Sequence, residues 1–363
     1  MLPFIWHYLL KAAGLSLLRI TIPSFVIIAM YAYQYIGLPI LYFQLNTYKT
    51  LVSDKWLMME VFLYTSLTIT IMIIGFILAS KCFGRLNQEN YNIKVRQSGV
   101  SLSRLNIGLF ALFTISTLVL VVYLSKIGIS NVAFFISTGI VESDISYAVS
   151  RSNMGNAFDG KYHWYKLFMN DLLVFSLLVL FSRYLIQKSF STKIMLVVAS
   201  LIATVVMVMA VEKGPIANLI ITLFLVYIIT RFNGRVPIKK TLYLFLLLFL
   251  MLAALYIFFM NSENLLLGIN SVFTRIITGQ MLPAYHYLNY FQNHHDLLLG
   301  HSFPNPGGIF PFENFDLTKE IMAWHNPSQI ELGVVGSMPT VFWGEMYANF
   351  GFYGVLISSF LVG

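Results

Sequence analysis

The run from Leu57 to Ser80, LMMEVFLYTSLTITIMIIGFILAS, decides the fold class of this chain, because Glu60 is its one charged residue. A run of about 20 apolar residues can cross the hydrocarbon core of a bilayer as a single α-helix. The whole chain has the same character, with 58% hydrophobic and only 10% charged residues among 363. A typical soluble domain has about 25% charged residues. The composition therefore excludes a soluble enzyme, a nucleic-acid-binding domain and a disordered protein, and it predicts an all-α polytopic membrane protein.

Further apolar runs flank this one, so we predict about eight transmembrane helices in a single membrane domain over 1–363. The predicted spans are 20–45, 57–80, 105–124, 165–187, 194–211, 214–230, 241–260 and 339–363. Two connecting segments, 125–164 and 261–338, are much longer than the others, and long loops often carry function. The second is rich in Gly, Pro, Asn and His with apolar residues between them. We expect it to contain short helices and to pack on the membrane domain.

The charges alternate between the two sides of the predicted membrane. One set of loops holds most of the 23 lysines and arginines but a single acid, Glu89. The positive-inside rule makes this set cytoplasmic, together with both ends of the chain, so both long loops are outer loops. The net charge of +8 therefore reflects membrane topology, and we expect the lipid bilayer rather than a nucleic acid as the partner.

The sequence lacks a P-loop, a dinucleotide-binding glycine pattern, HExxH and an Asp-x-Asp pair. The inner loops are too short for a catalytic domain, so we expect chemistry at the outer face without a cytoplasmic nucleotide donor or a cofactor. The cluster of His294, His295 and Asp296 is not spaced like the ligands of a metal site, so we predict no metal. The single cysteine, Cys82, excludes an intrachain disulfide.

Lys213 is the first candidate for binding an anion. It lies in the turn VEKGP between the predicted fifth and sixth spans, where Pro215 suits the first turn of the next helix. A cation beside the free amides of a helix N-terminus suits a phosphate group. The alternative is a Glu-Lys ion pair that marks a tight interfacial turn.

Arg275 is the second basic candidate. In SVFTRIITGQMLPAYHYL, Arg275, Gly279, Leu282 and His286 fall at helical spacing on one predicted face. An arginine in an apolar helix is costly unless a partner or a bound anion neutralises it, and its donor fork suits phosphate. The alternative is an arginine that snorkels to the interface. Arg151 is a third candidate, although a solvated ion pair with nearby acids is the favoured interpretation there.

Glu345 is the main acidic candidate, because it lies about a turn inside the last apolar run, ELGVVGSMPTVFWGEMYANFGFYG. A carboxylate at that depth is costly and favours a functional role. Asn349 and Tyr353 follow it at helical spacing, whereas Glu331 lies outside. Either glutamate is a candidate general base if it lies near an acceptor hydroxyl. Tyr347 and its aromatic neighbours are suited to stacking on sugar faces, although an interfacial aromatic belt is the simpler interpretation.

The pattern over 205–363 resembles the Wzy-type oligosaccharide repeat-unit (O-antigen) polymerases of bacterial surface polysaccharide pathways. The resemblance rests on the charged turn Lys213-Gly214-Pro215, the Arg275 helix, the large outer loop and the closing run MPTVFWGEMYANFGFYG. It implies a membrane glycosyltransferase with GT-C-like architecture at the outer, periplasmic face of the bacterial inner membrane. Because members of this family usually have more than eight spans, we expect the chain, which ends at Gly363, to be short at its C-terminal end relative to them.

The resemblance also implies the reaction and the partners. Such enzymes transfer a growing glycan from undecaprenyl diphosphate to the non-reducing end of a lipid-linked repeat unit, in lipopolysaccharide or capsule biosynthesis. A chain-length regulator is a further implied partner. The implied general bases are Glu345, Glu331 and His286. The residues implied for the diphosphate or the sugars are Lys213, Arg275, Arg151, Asn349 and Tyr347. A lysine at 213 departs from the family, which commonly has arginine there, and it loses bidentate geometry.

Two other activities and one passive role fit the same pattern. An O-antigen ligase, which moves the finished glycan onto a lipid acceptor, has similar topology and basic residues. A flippase for lipid-linked oligosaccharides, or another transporter, would be expected to show repeats and charges along a full transmembrane path. A structural scaffold would leave Glu345, Lys213 and Arg275 unexplained.

Overall fold

The computed structural model describes residues 2–45, 52–83, 102–128, 165–209, 213–260, 269, 273–274, 277–305, 308–328 and 336–363. Within these ranges the chain is helical and has no β-strand. The helices are α1 (Leu2–Ala12), α2 (Ile22–Met30), α3 (Gly37–Tyr42), α4 (Lys55–Cys82), α5 (Leu102–Ile127), α6 (Leu173–Ile186), α7 (Phe190–Met209), α8 (Lys213–Phe232), α9 (Ile238–Met260), α10 (Met281–Asn293), α11 (Leu317–His325) and α12 (Phe342–Val362). Two π-helical segments, Tyr31–Tyr35 and Leu167–Leu172, join α2 to α3 and precede α6.

Each of the eight predicted spans coincides with helical structure. Five helical stretches in the described residues are long and apolar enough to cross a membrane: Ile22–Tyr42, Lys55–Cys82, Leu105–Lys126, Leu167–Ile186 and Phe190–Met207. They match the first five predicted spans within a few residues. The helices α8, α9 and α12 occupy the other three, and their crossing of the membrane stays a prediction. The described part of the chain is thus all-α, with five helical stretches that are long and apolar enough to cross a membrane.

The chain forms two compact units. The first, which we call the terminal unit, comprises Met1–Tyr91 and Leu265–Gly363, and the second, the central unit, comprises Asn92–Asn264. In the central unit α6 packs against α7 and α8, and α5 contacts α6 and the segment that precedes it. Its largest buried cluster among the described residues is mostly aliphatic and includes Leu173, Leu177, Ala199 and Ala203.

In the terminal unit α4 is the central helix, packed by α1, α10 and α12. It begins at Lys55 because Asp54 caps it: the Asp54 carboxylate accepts from the backbone N–H of Trp56 at 2.7 Å and of Leu57 at 3.2 Å. The helix α1 was not expected from the sequence. Its Trp6 is fully buried and donates from the indole N–H to the Thr70 hydroxyl at 2.8 Å, which attaches α1 to α4.

The last helix, α12, differs from the continuous span expected over 339–363. It begins at Phe342, and its helical dihedrals are interrupted at Gly351, which has φ 62° and ψ −150°. Residues with a side chain rarely adopt this conformation, so glycine is the residue that suits the break. The interruption lets the carbonyls of Ala348 and Asn349 accept hydrogen bonds from outside the helix.

A second difference concerns the predicted face that joins Arg275 to His286. The backbone turns at Gly279 and Gln280, and α10 begins only at Met281. The prediction that Gly279 shares one helical face with Leu282 and His286 is therefore wrong, because Gly279 lies in the turn before α10. The fourth residue of that predicted face, Arg275, lies outside the described residues.

Candidate functional site

A cleft of about 170 Å³ opens in the terminal unit where α10, α11 and α12 come together. Tyr287 contributes from α10 and Glu345 from the first turn of α12. Leu317 and Thr318 come from the first turn of α11. The connecting segments supply the rest of the lining, which is Ser302, Asn314, Phe315, Asp316, Pro339 and Thr340. All of these except Pro339, Thr340 and Glu345 belong to the predicted large outer loop. The described part of this loop that lines the cleft therefore packs on α12.

Two carboxylates flank the Tyr287 phenol in this cleft. Burial raises the pKa of Tyr287, and the negative charges of Glu345 and then Asp316 raise it further. The phenol therefore stays protonated at neutral pH, and it donates to the Met338 carbonyl at 3.0 Å. Asp316 forms an ion pair with Lys319 at 2.5 Å, whereas Glu345 is half-buried at the start of its helix. Glu345 is thus the carboxylate of the cleft that lies outside this ion pair.

The lining combines groups that recognise sugar hydroxyls. Carboxylates accept hydrogen bonds, while the hydroxyls of Ser302, Thr318 and Thr340 and the Asn314 amide can donate and accept. Phe315 adds an aromatic ring, and a carboxylate beside a hydroxyl-binding site can remove a proton as a general base. The cleft is therefore suited to binding a polyhydroxylated ligand and activating one of its hydroxyl groups.

Asn349 is fully buried and forms the link between α12 and the segment after α10. Its side-chain oxygen accepts from the Gly300 N–H at 3.0 Å. Its side-chain nitrogen donates to the Ser302 hydroxyl at 2.7 Å and to the Glu345 carbonyl at 2.9 Å. These three bonds occupy the amide within the protein, so Asn349 positions Ser302 and does not itself line the cleft. Tyr353, predicted to share its face, lies beyond the break and is 74% exposed.

Tyr347 lies in a second polar cluster, on the side of α12 that contacts α4. The Gln292 amide donates to the Glu60 carboxylate at 2.7 Å and to the Tyr347 hydroxyl at 3.4 Å. The Tyr347 ring meets Tyr64 edge-on, with the ring centroids 5.1 Å apart. Glu60 was not among the sequence candidates, although it is the one acid within its span.

His286 is buried in an aromatic cluster on α10. Its ring packs against His325 at a centroid distance of 3.7 Å, and its Nε2 atom has no hydrogen-bond partner among the described residues. Burial, and then the neighbouring His325, lower the pKa of His286 to about 3, and burial lowers the pKa of His325. Both imidazoles are therefore neutral at physiological pH. His286 does not belong to the lining of the cleft.

The remaining candidates fall on parts of the chain that are not described. Glu331, Arg275 and Arg151 lie outside the described residues. Lys213 begins α8 as expected from Pro215, but its side chain is also outside the description. Their roles stay predictions.

Of the ten residues that line the cleft, sequence analysis named only Glu345, and Tyr287, Ser302 and Asp316 are among those it missed. Asp316 had a recognisable signal, because DLTKE is a helix-start pattern with an acid at the N-cap and another in the first turn. No sequence signal identified Tyr287 or Ser302, because their hydrogen-bond partners, Met338 and Asn349, are distant in sequence.

No group of three His, Cys, Asp or Glu side chains suited to a metal ion occurs among the residues that the structure describes. Comparisons with family models, curated proteins and solved structures find no match to this chain. The interpretation of the cleft therefore depends on its own chemistry and on the resemblance noted in the sequence.

Proposed function

We propose that this protein is a membrane glycosyltransferase that polymerises the repeat units of a bacterial surface polysaccharide at the outer face of the inner membrane. The observation that carries the proposal is the position of Glu345 in a cleft lined by hydroxyl, amide and aromatic groups. A flippase would instead require polar groups along a full path through the helices.

In the proposed reaction, Glu345 is the general base. It takes the proton of an acceptor hydroxyl on the non-reducing sugar of a lipid-linked repeat unit. The hydroxyl oxygen then forms a bond to the anomeric carbon of the growing glycan, and the bond from that carbon to the carrier diphosphate breaks. The diphosphate leaves with the bonding electron pair, so charge and atoms balance without a cofactor. The sugar diphosphate is already activated, so the protein mainly positions the reactants and stabilises negative charge.

The basic candidates complete the proposal. Lys213, Arg275 and Arg151 are proposed to bind the diphosphate of undecaprenyl-linked oligosaccharides, because fixed cations favour a leaving group that gains negative charge. Glu331 is the alternative base on the outer side. Asn349 is assigned a positioning role, since it holds Ser302 and the start of α12 in place.

The test compares surface glycans and carrier-linked glycans on gels from three strains of the source bacterium. One carries the unaltered gene, one carries Glu345→Gln, and one carries Glu320→Gln as the matched control. Glu320 is an exposed glutamate on α11 that does not line the cleft. We expect a polymer ladder with the unaltered protein and the control, and single repeat units with Glu345→Gln at unchanged protein abundance.

The other outcomes separate the alternatives. A full ladder with Glu345→Gln would remove Glu345 as the base. A gene deletion that leaves long chains on the carrier would indicate a ligase. A deletion that leaves neither repeat units nor polymer outside the cell would indicate a flippase.

A further inference from the structure

The segment Leu297–Phe312, LLLGHSFPNPGGIFPF, has no charged residue, although Asp296 precedes it and Glu313 follows it. Its described side chains expose apolar surface. Leu299 is 73% exposed and Ile309 is 76% exposed, and Leu297 and Phe310 are also exposed. An uncharged loop with exposed large apolar side chains is unusual for a water-facing surface, where such patches mark interaction sites.

The described residues of this segment, 297–305 and 308–312, have a defined structure. Asn305 donates from its amide to the carbonyls of Phe310 at 3.0 Å and Phe312 at 2.9 Å, and accepts from the Phe310 N–H at 3.0 Å. The rings of Phe310, Phe312 and His301 stack in sequence with centroid distances of 5.8 and 5.1 Å. The exposed side chains are therefore presented on a folded loop.

The loop is attached to α12 at the helix break. The N–H groups of Leu298 and Leu299 donate to the carbonyls of Ala348 and Asn349 at 3.0 and 2.9 Å. The rings of Phe303 and Phe350 lie 5.9 Å apart. These contacts fix the position of the loop along the axis of α12, because the acceptor carbonyls belong to the residues just before the break at Gly351.

The neighbouring helix α4 shows where this position lies relative to the apolar stretch of a predicted span. It runs parallel to α12, with Tyr64 near Trp343 and Phe352, and Gly75 near Phe360. The charge-free part of α4 begins after Glu60. Tyr64 lies four residues further along the helix, which is about 6 Å along its axis. The break in α12 is thus level with the outer edge of the apolar stretch of α4.

We propose that the segment Leu297–Phe312 inserts into the outer-leaflet interface of the bilayer. Leu297, Leu299, Ile309 and Phe310 contact the upper acyl chains, and the loop backbone lies among the headgroups. Irregular backbone is not stable in lipid-exposed hydrocarbon, so the loop lies at the interface and not deeper. The apolar surface continues along α12 through Tyr353, Ile357 and Leu361, which are all exposed. This inference does not depend on the proposed enzymatic activity.

The single cysteine makes the proposal testable by spin labelling. In a Cys82→Ser background, a nitroxide is attached at Leu299→Cys, at Ile309→Cys and, as the matched control, at Glu320→Cys on α11. Each protein is placed in nanodiscs of phosphatidylethanolamine and phosphatidylglycerol. The relaxation of each nitroxide by oxygen, which partitions into lipid, is compared with its relaxation by a water-soluble nickel chelate. Gel filtration of each labelled protein checks that it is folded.

We expect the ratio of oxygen accessibility to nickel accessibility at 299 and 309 to exceed the ratio at 320 severalfold. A higher nickel accessibility at 299 and 309 would place the loop in water and overturn the proposal. Low accessibility to both reagents would place it against protein and also overturn it. Because Ile309 lies outside the helix-attached end of the loop, it remains informative if Leu299→Cys disturbs the fold.

Discussion

The two units of this protein differ in the contacts that stabilise each of them internally. In the central unit, typical side-chain hydrogen bonds are local: Ser176 donates to the Leu172 carbonyl and Thr204 to the Ser200 carbonyl, both at 2.8 Å. Its main cluster is mostly aliphatic. In the terminal unit, hydrogen bonds join residues far apart in sequence, such as Gln292 with Glu60 and Asn349 with Ser302.

The difference indicates that the terminal unit, with its long-range hydrogen bonds, requires particular polar residues at particular positions, whereas the central unit does so less. Helices with aliphatic contacts tolerate exchanges among apolar residues of similar volume. A buried polar network tolerates far fewer changes, because each lost partner leaves a desolvated donor or acceptor. The cleft lies in the terminal unit, where such networks fix its walls, so substitutions in the two units should have unequal effects.

Replacing Asn349 by leucine should give the largest loss of stability. The change leaves the Gly300 N–H without its acceptor and the Glu345 carbonyl and Ser302 hydroxyl without their donor. We expect the free energy of unfolding to fall by about 3 kcal/mol. The thermal unfolding midpoint in detergent measures this. The matched change Asn218→Leu, at an exposed position on α8, should shift the midpoint little. Equal shifts would contradict the proposed difference between the units.

Gly351→Ala should have the next largest effect. The glycine has a positive φ of 62°, and an added Cβ would lie 3.1 Å from a Leu297 methyl carbon. We expect a loss of about 2 kcal/mol from backbone strain. Gly108→Ala is the control, because Gly108 lies in α5 with nothing within 4 Å of an added Cβ. That change should stabilise its helix by up to about 1 kcal/mol. If Gly351→Ala were no less stable than Gly108→Ala, glycine would not be required at the break.

The sequence predicts the long apolar helices of this protein but not the contacts between residues that are distant along the chain. Hydropathy correctly placed the five helical stretches that are long and apolar enough to cross a membrane, because a long apolar run has few alternatives to a helix in lipid. The break at Gly351 was missed because the local sequence around it is helical in pattern. The N–H groups that bond to the carbonyls before the break belong to Leu298 and Leu299, about 50 residues earlier. The contact of His286 with His325 was missed for the same reason: the two residues lie on different helices.

The pH dependence of stability should give the smallest effect. In the folded protein the pKa of His286 is lowered from its usual 6.5 to about 3 by burial and by His325. Between these values the unfolded chain binds a proton that the folded chain excludes, so stability falls as pH drops below 6.5. We expect the unfolding midpoint to fall between pH 7 and pH 5, and His286→Phe to reduce that slope.

The exposed His301 provides the control for this titration. His301→Phe removes an imidazole that stacks on Phe312 at the surface. The slope should persist in that variant. If His286→Phe keeps the slope of the unaltered protein, the buried histidine is not its source.

The most direct measurement of the central claim is the reaction itself, with purified protein in nanodiscs and carrier-linked repeat units as the substrate. The rate of appearance of a two-repeat product on the carrier would be compared for the unaltered protein, Glu345→Gln and Glu320→Gln. We predict that Glu345→Gln lowers the rate by about 100-fold or more, as expected when a general base is lost, while Glu320→Gln does not change it. An unchanged rate in Glu345→Gln, or no two-repeat product from the unaltered protein, would contradict the account.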